Sequence, residues 1–178
     1  MQPDTFGTTR TPELPAALRA VVAAARRRAT RAGDGEVDTG HLLHSLLESD
    51  PDALAAAAPR PEQTARLMGY LVQRSIGFGR PWRAVAESRC PTRSTGGPAV
   101  PPLAARGAVG PRWSAAAAAA LERAVRRAAD GPGGLPLLAA LAADPASRSG
   151  QILCSVGIDP AVVRARCESV RRAVRAGT

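Results

Sequence analysis

Apolar residues recur at helical spacing in two stretches of the chain. Near the start, leucine, valine and alanine return every three or four residues, which predicts an amphipathic helix ending near Ala32, before the glycines at 33 and 35. The segment "DTGHLLHSLL" predicts a second helix, capped by Asp38 or Thr39 and buried through its leucines. A short helix from Asp50-Pro51 and a fourth over residues 62–74 complete this half.

The same kind of pattern resumes at Trp113. Ser114 is a predicted N-cap for an alanine-rich helix, and a leucine helix follows from Leu135. Another helix is expected to open at Asp144-Pro145, and the last begins at Pro160. The second half is therefore also predicted to hold four helices.

Between the two halves, residues 75–112 are dense in glycine, proline, serine and threonine. Such a segment has little to bury and cannot hold a long helix, so we predict a flexible linker. Residues 1–12 have turn composition and are predicted to be a flexible N-terminus. The chain is thus divided into residues 1–12, a first repeat at 13–74, the linker at 75–112 and a second repeat at 113–178.

The two halves form an internal repeat. A shift of 99 residues places Val22 on Leu121 and Ala25 on Ala124, and the Asp-Pro at position 50 has its counterpart at position 144. Neither four-helix unit is large enough to bury a generous core alone. The prediction is an all-α fold in which two repeats pack together about a pseudo-twofold axis.

The amino-acid composition excludes some classes of function and favours others. All 24 basic residues are arginine, against 15 acidic residues, and the net charge is +9. The absence of lysine excludes a P-loop and a lysine Schiff base. The charge favours an acidic partner, so an arginine-rich nucleic-acid-binding protein is the alternative function. The arginines are scattered, however, and no aromatic residue interleaves with the run at 26–28, which makes nucleic acid the less favoured partner.

The three cysteines have no zinc-site spacing, and Cys154 and Cys167 are expected to be core residues in a reducing compartment. The sequence contains neither a signal-peptide pattern nor an apolar run long enough to cross a bilayer. We therefore expect a soluble, cytoplasmic protein.

His41 and His44 are the only histidines. A pair at this spacing could lend two ligands to a metal-dependent hydrolase, but a site needs three or four, so Glu36 or Asp38 would have to join. The other interpretation is that the histidines only mark the beginning of a helix. We favour that one, because no serine or cysteine nucleophile with an orienting acid is evident nearby. No catalytic residue, metal or cofactor is predicted.

A family resemblance follows from the doubled pattern. "AVVAAARRRATRAGDGEVDTGHLLHSLL" in the first half and "WSAAAAAALERAVRRAADGPGGLPLLAALAADPASRSGQILCSVGIDPAVV" in the second resemble the Clp N-terminal domain. This double helical repeat stands at the front of the AAA+ unfoldases ClpA, ClpB and ClpC. The sequence has no ATPase module after it, so the resemblance is to a diverged, stand-alone ClpC-like N-domain.

The resemblance implies a ligand surface between the repeats. In the family, an aromatic residue at the position of Trp113 borders a groove that receives peptides and small ligands. Trp113 and Ser114, with Leu14 and Pro15 at the equivalent place of the first repeat, are the candidate binding residues. The implied partners are Clp unfoldase or protease components, protein substrates, adaptors and peptide-like ligands. The chain would then act as an accessory or as a decoy.

The sequence differs from the family at positions that bind the ligand, and these differences limit which ligand it could bind. Domains of the ClpC type that bind phosphorylated arginine use an acidic residue before the histidine of each repeat. Gly40 and Leu135 occupy those positions, and Pro136 occupies that of the second histidine. Since a guanidinium group needs a carboxylate partner, we do not expect phosphoarginine recognition.

Overall fold

The computed structural model describes residues 14–75, 111–127 and 133–176. This part of the chain is mostly helical, which confirms the all-α prediction at the level of fold class. The predicted flexible N-terminus and nearly all of the predicted linker lie outside the described residues. Among the described helices, none combines the length and the apolar character that a bilayer span requires.

Each half contributes four helices and one two-residue strand to the described structure. The first half consists of α1 (Ala16–Ala32), β1 (Glu36–Val37), α2 (Thr39–Ser49), α3 (Pro51–Ala57) and α4 (Pro61–Ser75). The second consists of β2 (Arg112–Trp113), α5 (Ala115–Arg127), α6 (Leu135–Leu141), α7 (Arg148–Ser155) and α8 (Pro160–Ala176). The order of these helices is the one that the apolar spacing along the sequence predicts.

The helix ends follow from local chemistry. Gly33 closes α1 in the left-handed conformation, with φ 71°. Of the two predicted caps for α2, Asp38 is the N-cap residue, and Thr39 is the first residue of the helix. The predicted start of α7, at Asp144-Pro145, is too early. The Asp144 side chain instead accepts the N–H of Ala146 at 2.9 Å in a turn, and the Ser147 hydroxyl accepts the N–H of Gly150 at 3.2 Å. Ser147 is therefore the residue that caps α7.

The core is centred on α2 and α6. All seven residues of α6 are buried, and α2 buries its four leucines completely or almost completely. α2 packs against α1, α3, α5, α6 and α7, so it contacts both halves. The buried residues of α5 are all alanine, and those of α1 are two alanines with Leu18 and Val21, so small side chains let these helices approach α6 and α2 closely.

Hydrogen bonds of two side chains, the buried Thr39 and the partly buried Asp50, join the two halves. The hydroxyl of Thr39, at the start of α2, accepts the backbone N–H of Ser149 in α7 at 2.9 Å. One carboxylate oxygen of Asp50 accepts the N–H of Ala53 at 2.9 Å and caps α3, while the other accepts the N–H of Gly134 at 2.6 Å, just before α6. Each of these side chains therefore satisfies a helix terminus in the other half.

The two described cysteines differ, which corrects one prediction. Cys167 is buried in α8, as expected, and burial raises the pKa of its thiol to about 11. Cys154 is exposed. The buried face of α7 includes Ile152 and Leu153. Cys154 is rotated about 100° from Leu153 and lies outside that face. Apolar neighbours in sequence did not make it a core residue.

Candidate functional site

Trp113 lies at the junction of the two halves. β1 and β2 form a parallel pair in which Trp113 stands opposite Val37. The indole ring is partly buried against the core, and the guanidinium carbon of Arg26, from α1, lies 5.2 Å from the ring centroid. This is cation–π geometry, in which a cation over the ring face is attracted by the ring's electrons.

Ser114 follows Trp113 but faces inward. Its side chain is fully buried, and its hydroxyl accepts the N–H of Ala117 at 3.1 Å, so it caps α5 as predicted. Its own N–H donates to the carbonyl oxygen of Val37 at 3.0 Å and extends the pairing of the strands. In this geometry the hydroxyl stabilises a helix end, and the neighbouring Trp113 ring is the accessible member of the pair.

Leu14 and Pro15 lie at the beginning of α1. Pro15 is the N-cap residue, and its carbonyl oxygen accepts the N–H of Arg19 at 3.0 Å. Leu14 is partly buried against the core, and its carbonyl oxygen accepts a guanidinium N–H of Arg19 at 3.2 Å. The backbone before α1 is thus tied to the first turn of the helix by one arginine.

The four candidate residues form two separate pairs. Pro15 and Arg26 are eleven residues apart, which along α1 is about 16 Å, and Trp113 lies beside Arg26. Each pair is contacted by an arginine of α1, and Arg19 and Arg26 are seven residues apart, so both lie on the same side of the helix. Sequence reasoning did not select these two arginines, although their spacing was the signal that could have found them.

His41 belongs to the beginning of α2. Its backbone N–H donates to Asp38 Oδ1 at 3.0 Å, and its Nδ1 accepts the backbone N–H of Asp38 at 3.2 Å. Together these bonds form a capping box. The other ring nitrogen, Nε2, lies 3.2 Å from Asp34 Oδ2. The imidazole therefore marks a helix start, which agrees with the structural interpretation of the sequence.

The charges around His41 affect its protonation. Burial by itself disfavours the imidazolium, but hydrogen bonds and charge from Asp38 and Asp34 outweigh it and raise the pKa of His41. Burial likewise opposes ionisation of Asp38, yet His41 and then Arg148 hold the pKa of that carboxyl below its usual value. His41 thus adds stability that is complete below about pH 6.5 and is lost as the pH rises through its folded-state pKa.

His44 faces a different set of charges. It is buried in α2, and its Nε2 lies 3.0 Å from Glu48 Oε1. The other oxygen of Glu48 pairs with Arg28 of α1, whose Nε donates to the Ser45 hydroxyl at 3.1 Å. Burial, and next the charge of Arg28, lower the pKa of His44. The folded state is therefore penalised as the pH falls below about 6.5.

The histidines do not converge on one point, since His41 faces Asp34 and Asp38 while His44 faces Glu48. Within residues 14–75, 111–127 and 133–176, no group of three or more histidine, cysteine, aspartate or glutamate side chains is placed to hold a metal ion.

The positions at which the resembled family carries acidic residues are buried here. Gly40 lies in the first turn of α2, and Leu135 is the first residue of α6, with 6% of its surface exposed. Neither supplies a carboxylate. Comparison with known proteins adds no ligand, because no family model matches this chain and no curated protein matches it significantly.

Proposed function

We propose that the chain is a diverged double repeat of the Clp N-terminal type and works as a non-enzymatic binding module. The observation that carries the proposal is a reciprocal pair of contacts. α2 packs against α7 and α3 packs against α6, as expected if α2 corresponds to α6 and α3 to α7. Two equivalent units meeting about a pseudo-twofold axis would produce this exchange.

The proposed docking surface lies along α1, from Leu14 and Pro15 to the ring of Trp113, whereas the fully buried Ser114 only caps α5. Leu14 and Trp113 are partly buried, so each presents an apolar side chain that is already ordered by the core. Ordered aromatic and apolar anchors dominate many protein interfaces, because little conformational entropy is lost when a partner covers them. The Trp113 ring would be the main anchor.

In this proposal the module docks protein substrates, adaptors or peptide-like small molecules for a Clp unfoldase, by shape and charge complementarity. It acts either as an accessory that brings ligands to the unfoldase or as a decoy that sequesters ligands directed at it. Lack of a carboxylate at Gly40 and Leu135 supports a ligand other than phosphoarginine.

Isothermal titration tests this function. The full chain is titrated with the Clp unfoldase of its host and with a cyclic peptide directed at Clp N-domains, and we expect micromolar or tighter binding of at least one. Trp113→Ala should weaken that binding about tenfold, whereas Val72→Ala, which alters a side chain 46% exposed on α4, should change it less than about twofold. Circular dichroism controls for folding. Absence of binding by both probes at micromolar concentration rejects the proposal.

One feature of α8 favours the alternative, a nucleic-acid-binding protein. The helix carries five arginines and one glutamate. A protein that neutralises phosphates releases counterions, so its affinity for duplex DNA would fall steeply with salt. A salt series distinguishes the two functions. A nucleic-acid-binding protein should lose affinity for labelled duplex steeply as salt rises, whereas docking through Trp113 predicts that affinity for a protein or peptide ligand changes little with salt.

A further inference from the structure

We propose that an extended segment of a partner protein binds beside Trp113 by adding to β2 as a third strand. The inference rests on the proposed function, since it names how a peptide ligand is held at the Trp113 end of the docking surface. The name open edge is used for the backbone groups of Pro111 and Trp113 on the side of β2 away from β1.

The backbone groups of β2 point to two opposite sides. The N–H groups of Arg112 and Ser114 donate to carbonyl oxygens of the β1 segment, at 3.1 Å and 3.0 Å. The peptide groups here are trans, so the carbonyls of Pro111 and Trp113 point away from β1. Successive residues of a strand bond to opposite sides, and Arg112 bonds to β1, so the N–H of Trp113 also points away.

These outward groups have no partner in the part of the chain that the structure describes. No strand there pairs with β2 on this side, and neither the carbonyls of Pro111 and Trp113 nor the Trp113 N–H takes part in a hydrogen bond. Arg112 is exposed and its two neighbours are half-buried, whereas β1 packs against α1 and buries Val37 completely. Proline, which has no N–H to donate, is typical of such an edge. β2 therefore presents an unpaired strand edge beside a tryptophan ring.

The order of the groups along the open edge identifies the ligand. They are an acceptor, a donor and an acceptor, and an extended backbone supplies two N–H donors and one C=O acceptor at the matching spacing. Phosphate oxygens only accept, so a phosphate backbone could serve the Trp113 N–H alone. A second copy of this chain would bring the same excess of acceptors and leave carbonyls unpaired. An extended segment of a partner protein satisfies all three groups.

The Trp113 ring selects the side chain that faces it. A residue added opposite Trp113 has its side chain on the same face of the sheet, as Val37 does on β1. There it would contact the indole ring, which is only partly buried. Aromatic and β-branched side chains pair favourably across strands. The expected ligand therefore places a β-branched residue against Trp113 and has polar residues at alternate positions.

Amide hydrogen exchange of the full chain, followed by nuclear magnetic resonance, measures the open edge directly. In the free protein the Trp113 N–H should exchange at least about tenfold faster than those of Arg112 and Ser114, which are bonded to β1. The peptide Thr-Val-Thr-Val-Thr-Ser, capped at both ends, should at saturation slow the Trp113 exchange at least about tenfold. A Trp113 N–H that is already protected in the free protein, or that stays unprotected with peptide bound, overturns the inference.

Methylated peptides test the hydrogen bonds from the side of the ligand. In fluorescence anisotropy, one labelled peptide carries N-methyl groups on both valines, and the matched control carries them on the second and third threonines. One of the two should bind at least about tenfold more weakly than the parent peptide, because only alternate amides of an added strand face β2. The valine amides are the bonding set for an antiparallel strand and the threonine amides for a parallel one. Equal losses for both peptides, or no loss for either, overturn the inference.

Variants of the chain locate the site. Trp113→Pro removes the outward N–H together with the ring, and Trp113→Ala is the matched control that removes the ring alone. The proline variant should bind the peptide at least about fivefold more weakly than the alanine variant. Val72→Ala, on α4, should bind it as the parent protein does. Equal binding by the two Trp113 variants, with folding confirmed by circular dichroism, overturns the inference. If the proline variant does not fold, the methylated peptides decide.

Two other outcomes separate the possible errors. If concentrating the protein without peptide protects the Trp113 N–H, a second copy occupies the open edge and the inference is wrong. If the unfoldase or the cyclic peptide binds while the extended peptide does not, only the strand-addition inference fails. If the extended peptide binds at the open edge while both Clp probes do not bind, the role with an unfoldase fails and strand addition stands.

Discussion

Replacement of Gly134 by alanine should weaken the junction between the halves. The residue precedes α6 with φ −91° and ψ −1°, a conformation that alanine adopts freely, so its backbone is not strained. An added Cβ, however, would lie 2.7 Å from Asp50 Oδ2 and closer still to the Leu46 side chain. Both neighbours are fixed, since Leu46 is fully buried and Asp50 caps α3.

The cost has two parts. Moving well-packed neighbours to admit a methyl group costs about 1–3 kcal/mol. Weakening the bond from the Gly134 N–H to the Asp50 carboxylate adds about 1 kcal/mol or more. We therefore expect the free energy of unfolding to fall by about 2–4 kcal/mol, which for a chain of this size lowers Tm by roughly 5–15 °C.

Urea unfolding followed by circular dichroism measures this change. Gly69→Ala is the matched control, because Gly69 lies inside α4 and a Cβ added there would have nothing within 4 Å. Alanine is the better helix former at this position, so this variant should gain about 0.5–1 kcal/mol. If Gly134→Ala is as stable as the parent protein, the close approach of Gly134 to Leu46 and Asp50 is wrong.

Two further predictions concern titratable groups. Above about pH 6.5 the stability of His41→Gln should lose the decline with rising pH that the raised pKa of His41 causes. Below about pH 6.5 His44→Gln should lose a decline with falling pH, because the pKa of His44 is lowered, and thermal melts from about pH 5 to 8 read out both slopes. Melting curves that respond alike to both substitutions would contradict the assigned environments. In a Cys90→Ser background, a thiol reagent should modify Cys154 in the native protein and Cys167 only after unfolding, because the latter is buried with a pKa of about 11. Modification of Cys167 at the same native rate would show that α8 is not packed as described.

Residues whose role depends on near neighbours in sequence were predictable. Gly33 ends α1, Asp38 caps α2 and Ser114 caps α5, and each needs only its own backbone and the next few residues to do so. The leucines of α2 were predictable in the same way, because their helical spacing already implies one buried face.

Residues whose role depends on distant parts of the chain could not be predicted from the sequence. The bond from Ser149 to Thr39 spans 110 positions, and the cation–π contact of Arg26 with Trp113 joins different halves. Periodicity places a residue on a face of its helix but does not say which other element covers that face. Cys154 shows the limit most directly, because its apolar neighbours suggested burial and α7 nevertheless turns it outward.

The forked carboxylate of Asp50 has a consequence for how the molecule can be divided. Since Asp50 and Thr39 of the first half accept N–H groups at the starts of two helices in the second half, a separate second-half fragment would lack both acceptors, and each fragment would lack a wall of the shared core. Neither piece is then an autonomous folding unit. Mixed together, complementary fragments should recover helical structure that each lacks alone, so we expect the two halves to fold as one cooperative unit.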